Sequence, residues 1–208
     1  MNGAPLLWLA REPLLLASGS ATRHDMLVAA GIPVEIVRPQ IDERAVEAPL
    51  LAEGSPPDAV AAALACAKAM AVSQMHPGRL VLGADQTLTS DGEAFYKPTD
   101  LAAAADQLAA LAGRTHELQS AFVLAQDGAP LLEGLGVARL TMRELSPDFI
   151  MRYLDEAGVA ALTSVGGYQL EGLGAQLFDE VEGDHFTILG LPLFAVLAAL
   201  RELGALAR

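Results

Sequence analysis

The sequence predicts an α/β fold with a mixed sheet. Short apolar runs alternate along the chain with amphipathic segments that begin and end on capping residues, which is the pattern of strands covered by helices. Two hairpin signals, Asp91-Gly92 and Asp127-Gly128, lie in the middle of the chain, and a two-residue hairpin joins antiparallel strands. The alternation favours parallel strands and the hairpins add antiparallel ones, so we expect both in one sheet.

Five short apolar runs are predicted to be strands. Leu14-Leu15-Leu16 has no alternating polar residue, which is typical of a buried strand. The third run ends at Asp85, and the last two runs flank Asp127-Gly128 and are expected to pair. The predicted strands cover residues 13–17, 34–37, 79–84, 118–125 and 137–142.

Five helices are predicted from their capping residues. Ser20 is a good N-cap and Gly31 closes the helix that follows it. Ser55-Pro56-Pro57-Asp58 combines a cap, a proline in the first turn and an acid near the positive helix end. The predicted helices cover residues 21–30, 56–74, 101–113, 147–158 and 191–203. Residues 39–55 contain prolines and are expected to be mostly loop, and residues 163–190 are glycine-rich.

The charge balance excludes one class of partner. The 208-residue chain has 13 Lys and Arg against 26 Asp and Glu, a formal net charge of −13. Binding duplex nucleic acid needs a basic face that displaces counterions, so no nucleic-acid partner is expected. An anionic small substrate would need a local basic cluster and a divalent metal.

The composition also predicts the compartment. No run reaches the roughly 18 apolar residues of a membrane span, so no membrane partner is expected. The first positive charge, Arg11, follows the apolar start over residues 1–10, which is the wrong order for a signal peptide. The single cysteine, Cys66, excludes an internal disulfide and a cysteine-based zinc site. We expect a cytoplasmic protein.

The first candidate site is the turn between the first strand and the first helix. Ser18 and Ser20 offer hydroxyls, and Gly19 lets a ligand approach the backbone. Arg23 offers a fork of donors that matches phosphate oxygens, and a helix N-terminus favours anions. A plain serine cap with a solvated arginine is the structural alternative.

The second candidate site is a set of acids at strand and loop ends. Asp85 follows an apolar strand, and in open α/β sheets ligands collect at the carboxyl ends of strands. Glu43 follows Asp42 on a separate loop, and Lys97 follows the first hairpin. Carboxylates suit Mg²⁺, which also shares substrate phosphates. Taken singly, each acid is better explained as a solvated surface charge, since the chain has 26 acids.

The third candidate site is the glycine-rich segment around Glu171. Four glycines surround a tyrosine and this glutamate between residues 165 and 174. A carboxylate accepts hydrogen bonds from a base edge with paired N–H donors, as guanine has. The alternative is an ordinary glycine-rich turn.

Several short motifs together resemble the Maf family of nucleoside triphosphate pyrophosphatases. The resemblance runs from Leu14 to about Leu203, and the shared order of the motifs makes it specific. The matching segments are Leu15-Leu16-Ala17-Ser18-Gly19-Ser20-Ala21-Thr22-Arg23, Ile41-Asp42-Glu43, Ala67-Lys68-Ala69, Leu82-Gly83-Ala84-Asp85, Tyr96-Lys97-Pro98, Gly113-Arg114-Thr115-His116, Glu171-Gly172-Leu173-Gly174-Ala175, Glu182-Gly183-Asp184 and Gly190-Leu191-Pro192.

The resemblance implies a fold and an activity. The family fold is an elongated, mixed, twisted sheet flanked by helices, with two lobes, a central cleft and a likeness to inosine triphosphate pyrophosphatases. We therefore expect one Maf-like domain over residues 1–208. Family members cleave a nucleoside triphosphate to the monophosphate and pyrophosphate with a divalent cation, Mg²⁺ or Mn²⁺. Members tend to form dimers, although no motif here requires a homodimer.

The resemblance also assigns roles. It implies that Glu43 and Asp85 bind metal, that Asp85 is the base, and that Lys97 acts with them in catalysis. Ser18, Ser20 and Arg23 are expected to bind phosphate. Lys68, which the residue pattern alone would place in solvent, is expected to neutralise the triphosphate.

Two positions favour a particular substrate. Glu171 and Gln86 stand where the branch acting on dTTP and UTP usually has Gln and Thr, and both are expected to contact substrate. They resemble the branch acting on 7-methyl-GTP, whose base offers N–H donors to a glutamate. Thr22 departs from both branches, because many members carry an additional arginine there.

Three alternatives remain open at this point. The protein could be a dTTP/UTP pyrophosphatase. It could be a non-catalytic nucleotide-binding regulator of cell division, which would not need two acids and an aligned water. It could also be a metal-dependent phosphatase that releases orthophosphate.

Overall fold

Two compact units make up the computed structural model, which describes residues 6–208. The first unit contains the described residues up to Gln86, together with Ser120–Gly136 and Gly190–Arg208. The second unit contains Thr87–Gln119 and Val137–Leu189. The expectation that the chain has no targeting segment rests partly on residues 1–5, which lie outside the described residues.

Within the described residues seven strands form one mixed sheet, which confirms the predicted fold class. They are β1 (Leu14–Ala17), β2 (Val34–Ile36), β3 (Val81–Ser90), β4 (Glu93–Phe95), β5 (Thr115–Gln126), β6 (Ala129–Met142) and β7 (Phe178–Glu182). The order is β2-β1-β3-β5-β6-β7, with β4 paired to β3. Strand β1 is parallel to β2 and β3. Strand β4 is antiparallel to β3, and β7 is antiparallel to β6.

Seven α-helices accompany the sheet within residues 6–208. They are α1 (Ala21–Ala29), α2 (Glu43–Ala52), α3 (Pro57–Met75), α4 (Leu101–Leu111), α5 (Pro147–Ala157), α6 (His185–Ile188) and α7 (Leu193–Glu202). The predicted cap Ser20 accepts a hydrogen bond from a backbone N–H of the first turn, and Asp100 and Ser146 do the same at the starts of α4 and α5. The prediction of Ser55 as a cap was wrong, because Pro56 is the N-cap residue of α3 and no side chain accepts a hydrogen bond there. No helix in this part of the chain is both long and apolar enough to cross a membrane.

The prediction that residues 39–55 are mostly loop was wrong. They contain helix α2, which includes Pro49 and packs against α3. Asp42 caps this helix by accepting hydrogen bonds from the backbone N–H groups of Arg44 and Ala45. Proline inside a helix removes one hydrogen bond and is unfavourable, but the cap and the packing on α3 outweigh that cost here.

The prediction that the third strand ends at Asp85 was also wrong. Strand β3 continues to Ser90, where Asp91 and Gly92, with φ of 51° and 82°, turn the chain into β4. The extension has a physical cause, because β4 pairs with residues 88–90 of β3. In the glycine-rich region the chain forms short 3₁₀ turns and then β7, which the sequence did not predict.

Each unit has its own core. In the first unit all four residues of β1 are fully buried, and alanines of α3 pack directly on β5. In the second unit the core includes Leu108, Leu118, Leu140 and Tyr168. The close packing of α3 determines where Lys68 lies, because small side chains let the helix approach the sheet. The contacting residues are Ala61, Ala65 and Ala69 of α3 with Ala121, Val123 and Ala125 of β5.

Candidate active site

A lysine that forms ion pairs with two carboxylates is the centre of the candidate site in the first unit. Nζ of Lys68 lies 2.5 Å from Oδ1 of Asp85 and 2.9 Å from Oε1 of Glu43. The side chains of Lys68 and Asp85 are 9% and 13% exposed, whereas that of Glu43 is 52% exposed. The structure therefore brings together three predicted site residues from three elements, with one carboxylate facing solvent.

Asp85 owes its position to the unequal lengths of parallel strands. Ala17, the last residue of β1, pairs with Gly83 of β3. Asp85 is two residues further along β3, so its carboxylate lies past the carboxyl end of β1. Candidate ligand groups are expected at the carboxyl ends of strands. Here the relevant end is that of β1, because β3 continues beyond Asp85.

Lys68 owes its position to a close approach of α3 and β3. A Cβ added to Gly83 would lie 2.6 Å from the backbone nitrogen of Ala69 and would also meet the carbonyl oxygen of Ala65. Glycine at this position allows the two backbones to approach, because any larger residue would push the helix away. Lys68 is thereby held almost out of solvent beside Asp85.

A third carboxylate, Glu47, lies near this cluster and was missed by the sequence reasoning. Partial burial, together with the negative charges of Asp85 and Glu43, raises the pKa of Glu47. Glu47 follows Glu43 by four residues on α2, and this spacing places two side chains on one face of a helix. The signal was present in the sequence, but it is visible only if residues 43–52 are recognised as a helix.

The serine turn forms a second group of predicted residues in the same unit. The hydroxyl oxygen of Ser18 accepts hydrogen bonds from Nη1 of Arg23 and from the backbone N–H of Ser20, both at 3.2 Å. The hydroxyl oxygen of Ser20 accepts from the backbone N–H of Arg23. Each hydroxyl keeps its own hydrogen for a further acceptor, and α1 begins here with its positive end.

Arg23 connects the serine turn to the carboxylate cluster. Its Nη1 also donates to the carbonyl oxygen of Ala84, the residue before Asp85, at 3.0 Å. Its Nε donates to the carbonyl oxygen of Gly190 at 2.7 Å. Burial lowers the pKa of the Arg23 guanidinium, while the charges of Asp85 and Glu43 act in the opposite direction. Three of its donors are therefore used within the protein.

Gln86 lies beside Asp85 in the chain, and its amide is directed elsewhere. Successive residues of a strand point to opposite faces of the sheet. The Nε2 of Gln86 donates to the hydroxyl of Ser120 on β5 at 3.0 Å.

The other two predicted residues belong to the second unit. Lys97 is exposed just after β4, and Glu171 is exposed between two short 3₁₀ turns. The segment before Glu171 is anchored by Tyr168, whose hydroxyl lies 2.6 Å from Nε2 of the buried His116. Phe178 packs against both rings. Gly166 and Gly167 have positive φ values of 80° and 76°, which residues other than glycine rarely adopt.

The carboxylate pair could hold a divalent cation. Among residues 6–208, no three His, Cys, Asp or Glu side chains are grouped so that they could hold a metal ion. Glu43 and Asp85 each bind Lys68 through one oxygen, so each keeps a second carboxylate oxygen. Mg²⁺ is commonly held by one or two carboxylates plus substrate phosphates and waters, and this donor set fits that pattern.

These features define a class of protein. An open α/β sheet with acids past the end of a parallel strand, beside a serine-capped helix, is typical of proteins that bind phosphorylated ligands. The sequence model of the Maf-like protein family matches residues 13–203. The chain belongs to the Maf-like protein family.

Curated relatives agree with this assignment over nearly the whole chain. A protein of Mesorhizobium japonicum named 7-methyl-GTP pyrophosphatase is 54% identical over 195 residues, covering 94% of this chain and 98% of its own. A Rhizobium etli protein of the same name is 54% identical, with 93% and 97% covered. A Rhodopseudomonas palustris protein named nucleoside triphosphate pyrophosphatase is 53% identical, with 97% and 98% covered.

Proposed function

We propose that this protein hydrolyses a nucleoside triphosphate to the nucleoside monophosphate and pyrophosphate. The observation that carries the proposal is the Glu43–Lys68–Asp85 cluster next to the serine turn. The names of relatives at 53–54% identity support it. Binding a nucleotide without hydrolysing it would not require a nearly buried carboxylate, such as Asp85, that is ion-paired to a lysine through one oxygen.

The reaction breaks the bond between the α-phosphorus and the oxygen that bridges it to the β-phosphate. A water oxygen attacks the α-phosphorus, and pyrophosphate leaves. We assign to Asp85 the role of orienting this water and accepting its proton. Lys68 keeps the Asp85 carboxylate in place and neutralises part of the acidic charge that would repel the triphosphate.

The serine turn would hold the phosphates. The free hydroxyl hydrogens of Ser18 and Ser20 and the first N–H groups of α1 are the donors that a phosphate needs. Arg23 orders the turn through Ser18 and holds it to the carbonyl of Ala84. Its assignment to phosphate rests on its two remaining Nη2 hydrogens and on its positive charge.

Glu43 and Asp85 would hold the divalent cation, Mg²⁺ or Mn²⁺. When bound, such an ion withdraws charge from phosphate oxygens and stabilises the charge that develops on them. The assignment of Lys97 to the triphosphate rests on its sequence motif.

We propose 7-methyl-GTP as the substrate, on two grounds. Glu171 carries a carboxylate that can accept from the N1–H and N2–H₂ groups of a guanine edge. Relatives from Mesorhizobium japonicum and Rhizobium etli are named 7-methyl-GTP pyrophosphatase. The assignment of Gln86 to the substrate rests on the motif alone. We also propose a cytoplasmic location, on the ground of the single cysteine, and a homodimer, on the ground of the tendency of the family alone.

The test is a product analysis with a panel of nucleotides. The purified protein is incubated with Mg²⁺ and dTTP, UTP, CTP, GTP or 7-methyl-GTP, with and without a chelator, and the products are separated by anion exchange. We expect monophosphate and pyrophosphate, with 7-methyl-GTP fastest and no turnover with the chelator.

Other results would favour the alternatives. Preferred cleavage of dTTP and UTP would replace the substrate assignment. Orthophosphate as the first product would indicate a phosphatase. Nucleotide binding without turnover of any nucleotide would indicate a regulator.

A further inference from the structure

Arg38 lies against the serine turn, although no motif pointed to it. Strands β1 and β2 are parallel, with Leu16 opposite Ile36, and the backbone N–H of Val37 still donates to the carbonyl of Leu16. The chain leaving β2 therefore runs beside the turn that follows β1. A Cβ added to Gly19 would lie 3.6 Å from Nε of Arg38.

The guanidinium of Arg38 is available to bind a ligand. Arg38 is exposed, and within residues 6–208 its side chain forms no hydrogen bond or ion pair with the protein. Two other cations of the candidate site have partners within the protein. Lys68 is bound by two carboxylates, and Arg23 uses three donors on Ser18, Ala84 and Gly190.

The acidic charge of the protein indicates why a positive charge at this turn would matter for ligand binding. The formal net charge is −13, so a polyphosphate approaches against an unfavourable field unless local cations offset it. The segment 18–23 itself contains only one cation, Arg23, and Thr22 contributes no charge. An arginine that has no carboxylate partner within residues 6–208, and whose Nε lies beside a glycine between two serines, is suited to bidentate binding of phosphate oxygens.

We propose that Arg38 is a phosphate-binding residue that contacts the polyphosphate of the substrate beside Gly19. This inference rests on the proposed function for the identity of the ligand. The proposed role of Arg38 is to bind the ligand and not to take part in the reaction, because its guanidinium lies beside Gly19. The partner group is therefore a phosphate of the triphosphate, and the inference extends to product pyrophosphate and to free tripolyphosphate.

The test compares Arg38→Gln with Arg152→Gln. Arg152 is exposed on α5 in the second unit, so both variants lose one positive charge, but only one loses it at the serine turn. We expect Arg38→Gln to raise KM for the nucleotide and Kd for tripolyphosphate about ten- to hundredfold, as for a lost charged hydrogen bond. The kcat should stay within about threefold, since the affinity is lost without loss of the base.

A conservative variant separates charge from geometry. Arg38→Lys keeps the charge but not the planar fork, so it should recover part of the affinity and not all of it. Arg152→Gln should match the wild type in both KM and tripolyphosphate Kd. Equal values for Arg38→Gln and Arg152→Gln would overturn the proposal, as would a wild type that does not bind tripolyphosphate.

The binding measurement keeps this inference distinct from the proposed function. If the wild type binds tripolyphosphate but turns over no nucleotide, the proposed function fails, and the loss of binding in Arg38→Gln still decides the role of Arg38. If the wild type turns over nucleotide and Arg38→Gln is unchanged in KM and Kd, the proposed function stands and Arg38 has no role in binding.

Discussion

Lys68 and Asp85 form an ion pair 2.5 Å long that is almost closed to solvent. The lysine comes from an alanine-rich helix and the aspartate from the middle of a strand. Removing one partner leaves the other charge in a place where water cannot fully replace it. The pair therefore links the stability of the first unit to the integrity of the candidate site.

Replacing Lys68 tests that link. We expect Lys68→Met to lower the free energy of unfolding by about 3 kcal/mol, because Asp85 loses its counter-charge. The double variant Lys68→Met/Asp85→Asn should recover much of this loss, since the uncompensated charge is gone. Urea unfolding of the two single variants and the double variant gives the coupling energy. Strictly additive effects would contradict a direct interaction.

The two carboxylates are predicted to be needed for turnover. Asp85→Asn and Glu43→Gln should each reduce kcat by roughly a hundredfold or more, the size of a lost general base or metal ligand. The far-ultraviolet circular dichroism should match the wild type, because both changes preserve side-chain size. Full activity in both variants would refute the assignment of this cluster as the active site.

Gly83 is predicted to control the distance between α3 and β3. Gly83→Ala should destabilise the protein by about 3 kcal/mol, because the added methyl meets backbone atoms that cannot move independently. It should also lower kcat by shifting Lys68 relative to Asp85. The stability control is Gly172→Ala, where the nearest atom to a new Cβ lies 3.9 Å away. Thermal unfolding compares the two, and equal melting temperatures would contradict the prediction.

His116 is predicted to make stability depend on pH. Burial lowers its pKa to about 4, against an ordinary value of about 6.5. Below pH 6.5 the unfolded chain therefore takes up a proton that the folded protein does not. Stability from this residue is complete above pH 6.5 and falls by about 3 kcal/mol as the pH drops to 4.

The comparison for His116 is a variant that keeps the contact to Tyr168 without titrating. His116→Gln can still hydrogen-bond the Tyr168 hydroxyl. Its free energy of unfolding should fall less steeply than that of the wild type between pH 6.5 and 4. The other histidines are common to both proteins, so they do not affect the difference. Parallel curves would show that His116 is protonated in the folded state.

Glu171 is predicted to determine the choice of base. Glu171→Gln should lower kcat/KM for 7-methyl-GTP by about ten- to hundredfold, because an amide replaces a charged acceptor of two N–H groups. The value for UTP should change little. Competition assays with the two nucleotides measure the ratio directly. An unchanged ratio would remove Glu171 from the specificity assignment.

Several features of the site could be predicted from local sequence. Ser20 caps α1, and Asp85 follows the apolar part of β3. Both could be predicted because capping and strand hydrophobicity depend on residues only a few positions apart. The resemblance added Lys68, which no local rule would have placed out of solvent.

Other residues could not be predicted in this way. Glu47 was missed because prolines obscured α2, and its proximity to Asp85 depends on how that helix packs. Arg38 follows a short strand with no motif, and its position beside Gly19 depends on the parallel pairing of β1 and β2. Such positions follow from contacts between residues that are distant in sequence.

The sequence by itself determined the fold class, the cap of α1, the hairpin turns and most of the residues of the candidate site. These depend on the periodicity and conformational preferences of neighbouring residues. Only the tertiary structure decided that Lys68 bridges Glu43 and Asp85 and that Arg23 donates to the carbonyls of Ala84 and Gly190. It also decided that the Arg38 side chain has no hydrogen-bond or ion-pair partner within residues 6–208. Charges select their partners by distance through space, and burial sets how much each pairing contributes.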